Sequence, residues 1–118
     1  MAIKRLQVGA RMSQAVIHNG TIYLAGQVAD DPDEDAGGQT RQILATIDGL
    51  LAECGSEKTR ILSAQIFLAD IGDFAAMNAV WDQWVPAGHT PARATVESKL
   101  ATPKYKVEIK VVAATAAD

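Results

Sequence analysis

The chain has one cysteine, two histidines and few aromatic residues, 5% in all. A lone Cys54 cannot form an intrachain disulfide, so the fold has to rest on packing and hydrogen bonds. His18 and His89 do not stand at ligand spacing, and with a single thiol they give no structural zinc pattern; no metal is expected. No apolar run approaches the ~20 residues that a membrane-spanning helix needs. Met1-Ala2-Ile3-Lys4-Arg5 is basic but is not followed by an apolar stretch, which predicts no secretory signal and a cytoplasmic protein. Charge of one sign is scarce too. The net charge is −3, and no Lys/Arg cluster stands ready to neutralise phosphates, so neither nucleic acid nor membrane is an expected partner. What the chain does have is apolar side chain, 48% of 118 residues, enough for one ordinary core in a single domain over residues 1–118.

Hydrophobic periodicity orders that material. Thr21 to Val28 reads as a strand, His18-Asn19-Gly20 as the turn before it, and Ser13 to Ile17 as its hairpin partner. Ile3 to Val8 adds a short edge strand. From Gln39 the period becomes helical, with Ile43, Leu44, Ile47, Leu50, Leu51 and Cys54 on one face and Gly55 as the stop. Ile61 to Ala69 returns to a strand. Asp70 or Asp73 can cap a second helix whose stripe is Phe74, Met77, Trp81 and Trp84. Ala92 to Ser98 and Tyr105 to Ala114 are strands joined by a connection containing Pro103. The expectation is an α+β fold with a mixed five- or six-stranded sheet and both helices on one face. Two helices cannot cover both faces, so the other face needs a partner, and Arg93, Thr95, Glu108, Ser63 and Gln65 are its expected members. A homo-oligomer with pockets between subunits meets that need.

Alternation puts Arg93, Thr95 and Glu97 on one face of their strand, and Lys106, Glu108 and Lys110 on one face of the next. An antiparallel hairpin of the two would set Thr95 opposite Glu108 and Glu97 opposite Lys106, with Arg93 diagonal to Glu108. An arginine fork suits a carboxylate, and a nearby Glu can accept a proton from water. The same spacing also suits a cross-strand salt-bridge ladder on a solvated face, and spacing alone leaves both readings open.

Pro91-Ala92-Arg93-Ala94-Thr95-Val96-Glu97 followed by Val107-Glu108-Ile109 resembles the C-terminal signature of the reactive-intermediate deaminase (Rid, or YjgF-type) family. Ser13-Gln14-Ala15-Val16, Ala25-Gly26-Gln27 and Asp73-Phe74-Ala75-Ala76-Met77-Asn78 match in the family's order across nearly the whole chain. Trp81-Asp82-Gln83-Trp84-Val85, with Pro103-Lys104-Tyr105-Lys106-Val107-Glu108-Ile109-Lys110, is similar to a YoaB-like branch. The resemblance implies a chorismate-mutase-like fold assembled as a homotrimer with three interfacial clefts. It implies hydrolysis of enamines and imines such as 2-aminoacrylate and 2-iminopropanoate to 2-oxo acids and ammonia, with no cofactor. By position, Arg93 would grip the substrate carboxylate and Glu108 would orient or activate water, both as catalytic residues. Backbone groups near Gly26 and Thr95 would hold the imine nitrogen and that water. Met12, Ala25 and Thr95 stand where the best-known members have Tyr, Ser and Cys. A non-catalytic module or sensor that holds a small carboxylate in the same cleft is the second reading.

The remaining motifs read as structure. Asp31-Pro32-Asp33-Glu34-Asp35 lacks the Gly and the distal Glu of a calcium loop, since Ala36 and Gln42 stand there, and reads as a solvated acidic loop. Cys54 completes an apolar helix face. Trp81 and Trp84 read as core or interface, and Gly37-Gly38 is too short for a phosphate loop.

Overall fold

The computed structural model describes residues 2–116. Six strands form a single sheet: β1 (Lys4–Val8), β2 (Ser13–His18), β3 (Thr21–Leu24), β4 (Ile61–Leu68), β5 (Ala92–Glu97) and β6 (Val107–Ala114). Two helices, α1 (Ala36–Glu53) and α2 (Phe74–Trp84), separate them along the chain. The strand order across the sheet is β1-β2-β3-β6-β4-β5, and only the β4–β5 pair is parallel.

Local chemistry accounts for the boundaries. Asn19 and Gly20 both have positive φ (52° and 76°), the backbone of a type I′ turn that matches the twist of the strands it joins. β3 is shorter than the apolar run Thr21 to Val28 suggests: pairing stops at Leu24 and resumes only at a single bridge between Gln27 and Ile109. Asp35 caps α1 by accepting the Gly38 N–H at 2.8 Å. The helix stops at Glu53 with Cys54 as its cap, and Gly55 follows with φ +72°, where Ser56 N–H reaches Leu51 C=O (2.8 Å) and Gly55 N–H reaches Ala52 C=O (3.0 Å). Those two bonds satisfy carbonyls that would otherwise be orphaned. Asp70, one of two expected caps for α2, instead closes the 3₁₀ turn at Ile71–Asp73 by accepting Gly72 N–H, and Asp73 begins α2 without a side-chain bond.

The core lies between the sheet and both helices. Ile43, Leu44, Ile47, Leu50 and Leu51 from α1 and Met77 and Trp81 from α2 meet Ile22, Leu24, Ile66, Leu68, Val107, Ile109 and Val111 from the sheet. Burying each large aliphatic side chain contributes about 1.5–3 kcal/mol, so this layer is the main stabilising term. Three polar residues, Gln27, Gln39 and Thr40, are also buried among the described residues, and Gln39 is a fully buried amide at the start of α1. Its Nε2 is shared among Pro32, Glu34 and Lys104 carbonyls (3.0, 3.1 and 3.1 Å), and its Oε1 accepts Lys106 N–H at 2.9 Å. One side chain thus ties two irregular segments to the helix.

The expected hairpin between β5 and β6 does not form. β4 lies between them and pairs in parallel with β5, Ala64 beside Arg93 and Ile66 beside Thr95. The physical reason is the crossover: β4, α2 and β5 form a strand–helix–strand unit, which returns the second strand parallel to the first. Glu97 does not face Lys106. It accepts Ile71 N–H at 3.0 Å and so anchors the turn before α2.

Candidate functional site

The register decides which face each candidate occupies. Ala64 and Ile66 point into the helix-covered core, so their β5 neighbours Arg93 and Thr95 lie on that same side of the sheet. Glu108 pairs with Phe67, which alternates with those buried residues, so it lies on the open face. The expectation that Arg93, Thr95, Glu108, Ser63 and Gln65 share the open face is therefore corrected. Ser63, Gln65 and Glu108 are there; Arg93 and Thr95 are on the helix side.

Arg93 sits on the edge strand against α2. Its Nη1 donates to Asn78 Oδ1 at 2.7 Å, and its Cζ lies 5.2 Å from the Trp81 ring centroid and 5.9 Å from that of Phe74. Such contacts between a guanidinium and aromatic faces are worth about 0.5–2 kcal/mol. Phe74, expected in the buried stripe, is instead 42% exposed. Thr95, two residues along, has a buried Oγ1 with no hydrogen-bond partner among the described residues. Ser98 N–H donates to Leu68 C=O at 2.9 Å, which fixes the parity of the ladder. Ala94 and Val96 thus turn their backbone groups toward β4, whereas Arg93 and Thr95 turn theirs outward along a free sheet edge. A shallow groove of about 340 Å³ is lined by Ser63, Ala64, Gln65, Ala92, Arg93 and Ala94; of these Ser63, Gln65, Ala92 and Ala94 face the open side of the sheet, opposite the Arg93 guanidinium. A guanidinium, a buried hydroxyl and unpaired backbone donors and acceptors therefore converge on one edge.

Glu108 belongs to a second group. A Cβ built on Gly26 would overlap Glu108 Oε2 and come within 3.0 Å of Glu108 Cδ, so only glycine lets this carboxylate lie against the backbone. Ala25 precedes it, its N–H donating to Gln14 C=O at 3.0 Å and its own C=O accepting Gln27 Nε2 at 3.0 Å. Met12 stands half-exposed in the turn between β1 and β2, which Gly9 N–H closes on Met12 C=O at 2.8 Å. The structure thus brings Gly26 to Glu108 and Thr95 to Arg93, and keeps the two groups apart. Strands are about 4.8 Å apart, so β2 and β5 are separated by about 19 Å and β6 and β5 by about 10 Å. No small molecule bound to Arg93 could reach Met12 within one chain.

Several other sequence features have structural roles. Asp31 accepts Asp33 N–H, Asp33 pairs with Lys104 at 3.2 Å, and Asp35 caps α1, so the acidic loop is held by its own carboxylates. Burial pushes the Cys54 thiol up from its ordinary value, and the neighbouring Glu53 charge pushes the same way while Lys4 opposes them; a thiol so placed packs rather than reacts. Trp84 rests against Trp81 with centroids 5.3 Å apart and donates from Nε1 to Asp48 at 3.0 Å. No helix among the described residues is long and apolar enough to cross a membrane. Sequence reasoning placed Asn78 at the end of a matched motif but gave it no role of its own. The available signal was its position at i+4 from Phe74 and three before Trp81, on the side of α2 that meets the edge strand.

The family model described as Endoribonuclease L-PSP matches residues 2–115. A RutC family protein, YoaB of Escherichia coli, is 56% identical over 114 residues, covering 97% of this chain and 99% of that protein. A RutC family protein of Haemophilus influenzae is 50% identical over 114 residues, with 96% and 98% covered. Among solved structures, a YjgF-family protein from Neisseria meningitidis superposes with a TM-score of 0.97 at 49% identity, covering all of this chain and 98% of its own. A Rid-family protein from Yersinia pestis gives a TM-score of 0.89 at 30% identity, with 97% and 100% covered.

Proposed function

The chain belongs to the Rid (YjgF-type) family, close to YoaB, and from that premise we propose that it hydrolyses enamine and imine intermediates of the 2-aminoacrylate/2-iminopropanoate type to 2-oxo acids and ammonia. The observation that carries this reading is the exposed edge at Arg93: a guanidinium with one N–H engaged, beside a buried hydroxyl lacking a partner and a row of free backbone groups. That set suits a small, planar acid with a polar atom next to its carboxylate.

Glu108, lying against Gly26, is the proton acceptor in this scheme. Water adds to the carbon of the protonated imine as the Glu108 carboxylate takes one of its protons, giving a neutral carbinolamine. Glu108 returns that proton to nitrogen, and ammonia leaves as the carbinolamine hydroxyl gives its own proton to the carboxylate and becomes the 2-oxo group. Such acid–base assistance is worth roughly 10²–10⁴ in rate. An enamine substrate first tautomerises to the imine.

Arg93 and Glu108 point to opposite faces of the sheet, so the cleft has to be shared between chains. A head-to-tail contact that brings the β5 edge of one copy beside β6 and Gly26 of the next closes into a ring, here a homotrimer with three clefts. The open sheet face supports such an assembly. It presents Val16, Tyr23, Phe67, Val96 and Val112, with Tyr23 46% and Val96 48% exposed.

The test is deamination of imines generated in situ by an amino-acid oxidase. Wild type should accelerate imine loss above the buffer rate. Arg93→Ala should reduce activity at least tenfold, a loss of about 1.4 kcal/mol or more in transition-state binding. Glu108→Gln should still bind a 2-oxo acid but turn over poorly. A wild type that only matches the buffer rate contradicts the deaminase reading, and retained 2-oxo-acid binding would then favour a carboxylate-binding module.

A further inference from the structure

Arginine is long and rotamer-rich, so a fork that grips a small acid has to be held in one geometry before the ligand arrives. The outer flank of β5 cannot do this, because the strand is an edge with no neighbouring strand on that side among the described residues. The neighbour is α2. Phe74, Asn78 and Trp81 stand at i, i+4 and i+7 of this helix, and together they form a seat for the guanidinium: two rings and one amide oxygen. Trp81 is 5% exposed and packed against Trp84, the two rings tilted by 51°, so its ring is a fixed floor. Two donors cannot bond each other, so the Asn78 amide has to present its oxygen to Arg93 Nη1.

Resting on the function proposed above, we infer that Asn78 is a positioning residue for Arg93. It is a neutral acceptor that fixes the guanidinium on the aromatic seat without cancelling its charge. A carboxylate at residue 78 would fix the group equally well, but as an ion pair it would compete with the ligand for both the charge and the fork. The neutral amide occupies one N–H and leaves the remaining donors for a bidentate carboxylate. A strap that merely joined α2 to β5 would have no such preference for a neutral acceptor.

The test compares Asn78→Ala and Asn78→Asp in the intact oligomer, with the affinity for 2-oxobutanoate read by calorimetry and turnover read on imine formed in situ. Loss of positioning in Asn78→Ala should weaken 2-oxobutanoate binding at least fivefold. Its kcat should change less than threefold, because a carboxylate grip common to ground and transition states acts on KM. Asn78→Asp should bind at least fivefold more weakly still, because its charge competes with the ligand. Affinities within twofold of wild type in both variants would overturn the inference, and so would an Asp variant that binds as well as the Ala variant. A wild type that binds no 2-oxo acid would overturn the proposed function and this inference together. If wild type binds and Arg93→Ala does not, the proposed function stands and the two Asn78 variants decide this one.

Discussion

Arg93 and Glu108 lie on opposite faces of one sheet, with β4 between their strands. Their strands are about 10 Å apart, and a layer of backbone stands between the two side chains. Any reaction that uses both therefore takes one from each of two chains, and catalysis is then inseparable from assembly.

The oligomeric state follows first. Light scattering at micromolar concentration should give a particle of about three chains. Val96 is exposed on the open face beside Phe67, so Val96→Asp should place a charge in the contact and yield smaller particles. A wild-type monomer under these conditions would contradict the shared cleft.

Gly26 offers a test confined to the carboxylate. Gly26→Ala puts a methyl group where Glu108 Oε2 lies, and the side chain has to leave. Deamination should fall at least tenfold, with the far-UV circular dichroism unchanged because the clash is with a side chain outside the core. Activity within twofold of wild type would show that the Glu108 position is immaterial.

Gln39→Leu tests the buried amide at the start of α1. Leucine fills comparable space yet leaves the Lys106 N–H and three carbonyls without their partner. The expected cost is about 2–3 kcal/mol, measured by urea unfolding at fixed chain concentration. A cost below about 0.5 kcal/mol would mean that water takes over these bonds without penalty.

The elements were legible because their signals are local. The helical spacing from Ile43 to Leu51, the Asn19-Gly20 turn and the Gly55 stop each act within a few residues. The two-helix, one-face layout followed from counting elements. Strand order was not legible in the same way, because β5 and β6 are adjacent in sequence and invite a hairpin, while the pairing that wins joins β5 to β4 across α2. A helix between two apolar strands is a crossover signal, and it should have outweighed adjacency. Alternation along β5 grouped Arg93 with Thr95 correctly, but the wrong neighbour put them on the wrong face. Gln39 and Asn78 were named but given no role, because a polar residue on a helix announces neither burial nor partner.

Subunit mixing tests the central claim most directly. Arg93→Ala and Glu108→Gln chains are each inactive in the scheme proposed here, yet each retains the residue that the other lacks. Co-refolded in equal amounts, they should form mixed trimers in which a cleft is intact when one chain supplies Arg93 and its neighbour supplies Glu108. Random assembly makes about one cleft in four intact, so the mixture should recover about a quarter of wild-type deamination. Unmixed preparations combined without refolding should stay inactive. A co-refolded mixture no more active than its separate components would show that Arg93 and Glu108 do not meet across chains, and would contradict the account.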